Sequence, residues 1–333
     1  MVKKLVLNIS LFLLVIQVFV SCNIKEDMSD CPGSIILDYS AYSDVILDEI
    51  ESQTEVDIFV FDNDSICVEI YTFTYGDLEA MGFEFSVPIE YRGYNATVWQ
   101  GLESSNYTSR RMVLGENYNN FYMRLVHNSE SNSYTSVPDP IWASPLEPID
   151  YCAKITRHRI YMTRLHTKVE LNIQQKLSDN TLMDLDMEDY LVTIEAHNNV
   201  YHTDYTIDVE ESVDLEYNNM TELDSGKDLV CARVGTLRTA PDMDCTLYIE
   251  PKTSEDSRIV IQGASELDLI EYMLATKGDS SLSDQEFLDL NKIWQINVIV
   301  QEQQEPQSDE NIYIALGISI NGWVIWFTSS ELS

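Results

Sequence analysis

The chain has 333 residues, 44% of them apolar, which is enough to bury the cores of two ordinary domains and too many for a disordered chain. It carries 56 acidic against 20 basic residues, a formal charge of −36. A surface of that sign repels nucleic acid and anionic head groups, and excludes both as partners of the folded body.

The chain opens with Lys3 and Lys4, an apolar stretch from Leu5 to Val20, and Ser21-Cys22, the three parts of an export signal. Asn8, Ser10 and Gln17 interrupt the apolar stretch, which is shorter than the roughly 20 residues a membrane-spanning helix needs. Val18-Phe19-Val20-Ser21-Cys22 resembles a lipobox, with Phe19 where leucine is usual. Residues 1–21 are thus expected to be a lipoprotein signal peptide and Cys22 the lipidated first residue; the alternative is an ordinary signal followed by a structural cysteine. Acyl chains contribute about 0.8 kcal/mol per buried methylene, so the two or three chains of a processed lipoprotein hold firmly to the outer membrane. Removing the signal takes two lysines and no acid, which leaves 18 − 56 = −38. Residues 22–33 read as a lipidated tether. Within it Asn23-Ile24-Lys25-Glu26-Asp27 is either a charged signal for the outer face of the outer membrane or a plain solvated spacer.

From Val56 the pattern has period two. Val56, Ile58 and Val60 alternate with Asp57, Phe59 and Phe61, and a turn at Asp62-Asn63-Asp64-Ser65 leads into a returning arm from Ile66 to Tyr71. Phe83 to Ile89 alternates again, with Pro88 marking an edge or an end, and Tyr94 to Trp99 follows, so a four-strand meander is expected. A tract rich in Asn, Ser and Pro from Asn128 to Pro148 closes the first domain, 34–150. The second, 151–333, opens with a long strand that turns Leu165, Thr167, Val169, Leu171 and Ile173 inward and His166, Lys168, Glu170 and Asn172 outward. Further strands are expected at Tyr190–Ala196, Cys245–Glu250, Arg258–Gln262, Trp294–Val300 and Ile312–Ile320. Asn321-Gly322 then favours a type I′ turn into Trp323–Phe327. That last segment is apolar on both faces, suits either a core strand or one offered to a partner, and is read as core. Helix is confined to Glu266–Thr276 and a segment capped by Ser283 and Glu286. The expected fold is all-β, two antiparallel β-sandwiches in series.

Nucleophile elbows, phosphate-cradling loops and zinc-protease helices are absent, so no catalytic, cofactor-binding or metal-ligating residue is assigned and the protein is read as a non-enzyme. His197 and His202 stand five apart, a spacing that sends strand side chains to opposite faces. The acidic run Asp184–Asp189 lacks the glycine and distal glutamate of a calcium loop and reads as a solvated face. After Cys22 five cysteines remain, at 31, 67, 152, 231 and 245. Cys231 with Cys245 and Cys31 with Cys67 can form disulfides, and free buried thiols account for them equally well.

Asp30-Cys31-Pro32, VDIFVFD (Val56 to Asp62), Ala96-Thr97-Val98-Trp99, Tyr161-Met162-Thr163-Arg164, Gln285-Glu286-Phe287-Leu288-Asp289 and Ile318 to Val324, in this order behind a lipobox, resemble the FimB-like, Mfa-type anchor lipoproteins of Bacteroidetes type V fimbriae. The resemblance implies two transthyretin-like sandwiches and no catalytic residue. It also implies a place at the base of a fimbria, where the chain joins a shaft subunit by β-strand complementation, fixes it to the cell outer membrane and bounds its length. Shaft subunits of such systems are opened by an arginine-directed cut after an early strand. Between Lys25 and Arg92 this chain has no Lys or Arg, so its first strands stay attached to the lipidated end; Arg110-Arg111 lies beyond four expected strands. The alternative is a surface lipoprotein that binds glycan or host protein, motivated by 19 tyrosines and five tryptophans.

Overall fold

The computed structural model describes residues 33–42, 44–150, 157–224, 230–253, 257–261, 266–304 and 311–327. The signal, Cys22, Cys31 and Cys152 lie outside them.

The period-two pattern around Val56 forms the strand Glu55–Phe61, antiparallel to Cys67–Thr74 on one side and Asn95–Gln100 on the other. The hairpin turn is built by Asp62, whose carboxylate accepts from the backbone N–H of Asp64 and Ile66, both at 2.9 Å. The expected meander breaks here. A short helix, Tyr75–Ala80, and two left-handed residues, Gly82 and Phe83 at φ +69° and +59°, turn the chain away. Glu84–Val87 therefore pairs with Gly33–Asp38 in a second sheet, where it is the edge strand that Pro88 predicts. Between the two sheets lie Val56, Ile58, Val60, Val98 and Trp142 on one side and Ile35, Leu37, Phe85 and Val87 on the other.

The expected division at residue 150 cuts across strand pairing. Arg157–Tyr161 runs parallel to Gly33–Asp38 and completes the second sheet, while Ser133–Tyr134 pairs with Leu215–Tyr217 at the edge of a C-terminal sheet. Parallel partners need long crossovers, and local alternation carries no sign of them.

In the C-terminal half the eleven-residue strand His166–Lys176 is antiparallel to Val230–Leu237 and parallel to Ile293–Gln304, which in turn pairs with Asn311–Ile320. A facing sheet contains Cys245–Pro251, Tyr190–Ala196 and Leu215–Tyr217. Val169, Leu171, Ile173, Val234, Ile296 and Val298 meet Val192, Ile194, Leu247 and Ile249 in the core. Two helices, Leu269–Ala275 and Asp284–Leu290, flank it, the second with the expected capping box between Ser283 and Glu286. The whole is an all-β, two-sandwich fold with little helix.

The sandwiches share an interior. Phe59, Phe61 and Trp99, on the second face of the first domain's large sheet, pack with Phe121 and Met123 into the same apolar cluster as the C-terminal core. The Trp99 indole N–H donates to the Thr203 carbonyl at 2.9 Å, and Val200–His202 pairs with Tyr122–Leu125.

Candidate partner interface

The last described strand is made by its neighbours. Asn311–Ile320 runs out of the sheet into Asn321 and Gly322, at φ +47° and +84°, the left-handed pair of a type I′ turn. Trp323–Trp326 then returns, pairing Ile320 with Trp323 and Gly317 with Trp326. Gly317 has no side chain to obstruct the indole; a Cβ there would stand 2.8 Å from Trp326 Cε3 and 2.9 Å from the Ile325 carbonyl. Phe327 fixes the far end, buried edge-on against Tyr272 and donating its N–H to Leu316 O at 3.0 Å.

Between these ends the strand is not core. Trp323, Val324 and Trp326 are 60%, 51% and 62% exposed, and among the described residues nothing pairs with the strand's outer edge. The sequence expectation of a core strand is thus corrected: local pattern cannot separate a strand buried on both faces from one in which only Ile325 packs on the core and the other three side chains stand out. An uncovered apolar edge templates pairing with another chain, and proteins ordinarily protect such edges with charge, proline or a covering segment. Here neither charge nor proline is present in the strand.

Beneath the surface the two domains are joined by charge. Arg164, fully buried, donates to Glu49 Oε2 at 2.6 Å, and Lys168 Nζ reaches Glu49 Oε1 at 2.6 Å. Burial drives His166 down to about 3, so the ring stays neutral and its Nε2 accepts from Arg164 Nε at 2.8 Å. Desolvation by itself would raise the Glu49 carboxyl; contacts with His166 and Lys168 and the Arg164 charge overcome it and hold the group at about 2. A second cluster places Asp289 between Arg238, which donates twice at 2.8 Å, and Lys292 at 3.1 Å. The Tyr42 hydroxyl links the two, donating to the Asp289 carbonyl at 3.4 Å and accepting from the Arg164 N–H at 3.1 Å. Burial lowers Lys292 to about 8.

The other residues singled out in the sequence fall in ordinary roles. Cys231 and Cys245 sit in opposite sheets and are free thiols, which removes that disulfide; burial pushes them up to about 11 and about 12, so neither is a ready nucleophile. Cys67 is likewise free and buried, pushed up to about 11. His197 contacts Asp214 and His202 contacts Asp208, so the two do not converge. Asp184 accepts from Asn172 and Gln174, and Asp186 caps a short 3-10 turn, with Met187 buried between the acids. Arg110 and Arg111 are on the surface, paired with Glu116 and Glu55. Among the described residues no group of histidines, cysteines and carboxylates is arranged to hold a metal, and no helix is long and apolar enough to cross a membrane.

Two β-sandwiches that share an interior and an apolar edge strand left uncovered among the described residues define a protein with a surface suited to pairing with another chain. Residues 28–329 match the family described as fimbrillin-A associated anchor proteins Mfa1 and Mfa2, and the chain belongs to that family. Its fold is similar to that of the fimbrial anchor protein Mfa2 from Porphyromonas gingivalis, at 20% identity and a TM-score of 0.61, covering 90% of this chain and 100% of that one. A candidate polysaccharide-binding protein from Bacteroides thetaiotaomicron gives 18% identity and 0.70, over 90% and 99%. A candidate adhesin from Bacteroides ovatus gives 17% and 0.64, over 92% and 98%. Among curated proteins none matches the sequence. Membership places the chain among fimbrial anchor proteins of the cell envelope, structural proteins whose partner is a fimbrial subunit.

Proposed function

We propose that this chain holds a fimbria on the outer membrane. Residues 1–21 direct export, Cys22 carries the lipid, residues 22–33 form the tether, and the shaft's first subunit is engaged by β-strand complementation through Trp323–Trp326, which bounds the fimbria at its base. The observation that carries this is the uncovered strand: among the described residues its outer backbone edge has no partner, and its apolar side chains can fill successive pockets of a partner. Covering each large side chain stabilises a complex by roughly 1.5–3 kcal/mol.

Trp323→Ser with Trp326→Ser should leave the fold intact and abolish co-purification of the shaft subunit with the membrane fraction. Deletion of the gene should shed fimbriae into the medium or lengthen them. Cell-bound fimbriae of normal length in the deletion strain would sink the proposal.

A second reading rests on the same two indoles, since tryptophan faces also stack on sugars, and a protein of similar fold is named for polysaccharide binding. Saturable binding of soluble protein to a polysaccharide panel, lost in the double tryptophan variant, would favour it over the anchor.

A further inference from the structure

A cavity of about 660 Å³ opens at one end of the C-terminal sandwich, between the loop after Val200–His202 and the loop that follows Val230–Leu237. Ligand-sized sites run to about 300–1,000 Å³, so this one has room for several side chains. Ile207, Val209 and Met243 supply its apolar wall; Asp214, Asp242 and Asp244 supply its acids. Val209 is 67% exposed at the mouth.

The cations at this site are already committed. Arg238 is held in a two-point clamp by Asp289 and lies 4.7 Å from the centre of the Tyr205 ring. His197 places one ring nitrogen 2.9 Å from Asp214 Oδ1 and the other 3.1 Å from the Val209 carbonyl. Asp242 and Asp244 form no ion pair among the described residues. The lining thus carries three carboxylates, Asp214, Asp242 and Asp244, against Arg238 and His197, which already face Asp289 and Asp214, so negative charge is in excess beside the apolar wall.

We propose that this cleft receives a segment of a partner polypeptide that presents lysine or arginine beside apolar residues, the head on Asp242 and Asp244 and the apolar neighbours on Ile207, Val209 and Met243. A long cationic side chain suits both surfaces, because its methylene stem covers apolar wall while its head stays at the rim. The loop that forms one wall is also the loop whose Thr203 carbonyl accepts from Trp99 and Thr97. A ligand here would therefore sit directly on the joint between the domains. The identity of the partner as a fimbrial subunit rests on the anchor reading; the cation-binding chemistry does not.

The test uses the mature chain in detergent and a fluorescein-labelled hexapeptide of alternating leucine and arginine, with a leucine–glutamate peptide and spermine beside it. The arginine peptide should bind and the glutamate peptide should not. Asp242→Asn with Asp244→Asn should weaken binding about tenfold. Glu130→Gln with Asp279→Asn, which removes the same charge from exposed positions elsewhere, should leave it unchanged. Equal loss in both pairs would mean attraction to the overall charge and overturn the proposal, as would undiminished binding in the first pair. Spermine binding as tightly as the peptide would overturn it in favour of a small polyamine. Any of these results, with fimbriae still shed in the deletion strain, would remove the cleft and leave the anchor reading standing.

Discussion

Glu49 faces Arg164 and Lys168 at once, and both would be left without their carboxylate if it were removed. Breaking a buried pair by removing one partner costs about 3–5 kcal/mol. The Glu49 side chain keeps 28% exposure, so water recovers part of that, and Glu49→Gln should lower stability by roughly 2–3 kcal/mol in urea unfolding. The pH dependence has a definite sign. Glu49 stands at about 2 in the fold against 4.5 unfolded, so its contribution is complete above 4.5 and lost as pH falls towards 2. His166 stands at about 3 against 6.5; the unfolded chain takes up that proton first, and stability falls as pH drops from 6.5 towards 3. Unfolding midpoints measured from pH 7 to 3 should thus decline, and Glu49→Gln should flatten the lower part of the curve while His166→Asn flattens the upper. Parallel curves for wild type and both variants would contradict this assignment. These roles are invisible in local sequence, since Glu49 lies 115 and 119 residues from its partners. A trace exists all the same. Two segments that carry the family resemblance end in Arg164 and Asp289, each a charge beside apolar residues, and both prove to be centres of the joint.

The elements that local pattern reveals are those whose partners are local. The hairpin from Glu55 to Thr74, the capping box at Ser283 and the Asn321-Gly322 turn each depend on residues a few positions apart, and each stands where alternation and turn chemistry put it. Glu84–Val87 and Arg157–Tyr161 escape because their partner, Gly33–Asp38, is distant, and a strand's own alternation does not say which sheet it joins. The Trp323–Trp326 strand is a third case: its pairing was legible and its exposure was not. Gly317 gives a direct probe of that element. Gly317→Ala would drive a methyl into Trp326 and the Ile325 carbonyl, and overpacking of this kind costs about 1–3 kcal/mol. The strain falls on the terminal strand, so hydrogen exchange at Trp323–Trp326 should rise while exchange in His166–Lys176 stays slow. Uniform acceleration in both strands would mean that the terminal strand is part of the global core. At the other helix-bearing end, Ser283→Ala should cost about 1 kcal/mol through loss of the cap, read as a lower unfolding midpoint.

For the molecule as a whole, the proposed anchor requires the N-terminal end to stay attached to the strand Trp323–Trp326. Between Lys25 and Arg92 the chain has no basic residue at which an arginine-directed cut could fall. Strand pairing also ties the two ends together, even where the chain is cut. Arg110 and Arg111 are exposed, and Val113 and Leu114 after them are 56% and 59% exposed, the setting in which proteases nick folded chains. A cut there divides the first domain in sequence but leaves its pairing closed on both sides. Asn95–Gln100 still holds Trp142–Ala143 and Glu147–Pro148, and Gly33–Asp38 still holds Arg157–Tyr161. Phe59, Phe61 and Trp99 remain inside the cluster shared with the C-terminal half. Limited digestion of membranes with an arginine-specific protease should therefore give two bands on a denaturing gel that stay together in the membrane fraction and co-elute after detergent extraction. Release of the C-terminal piece would show that the first sandwich does not bridge the cut, and with it would go the claim that load on Trp323–Trp326 reaches lipid on Cys22 through this fold.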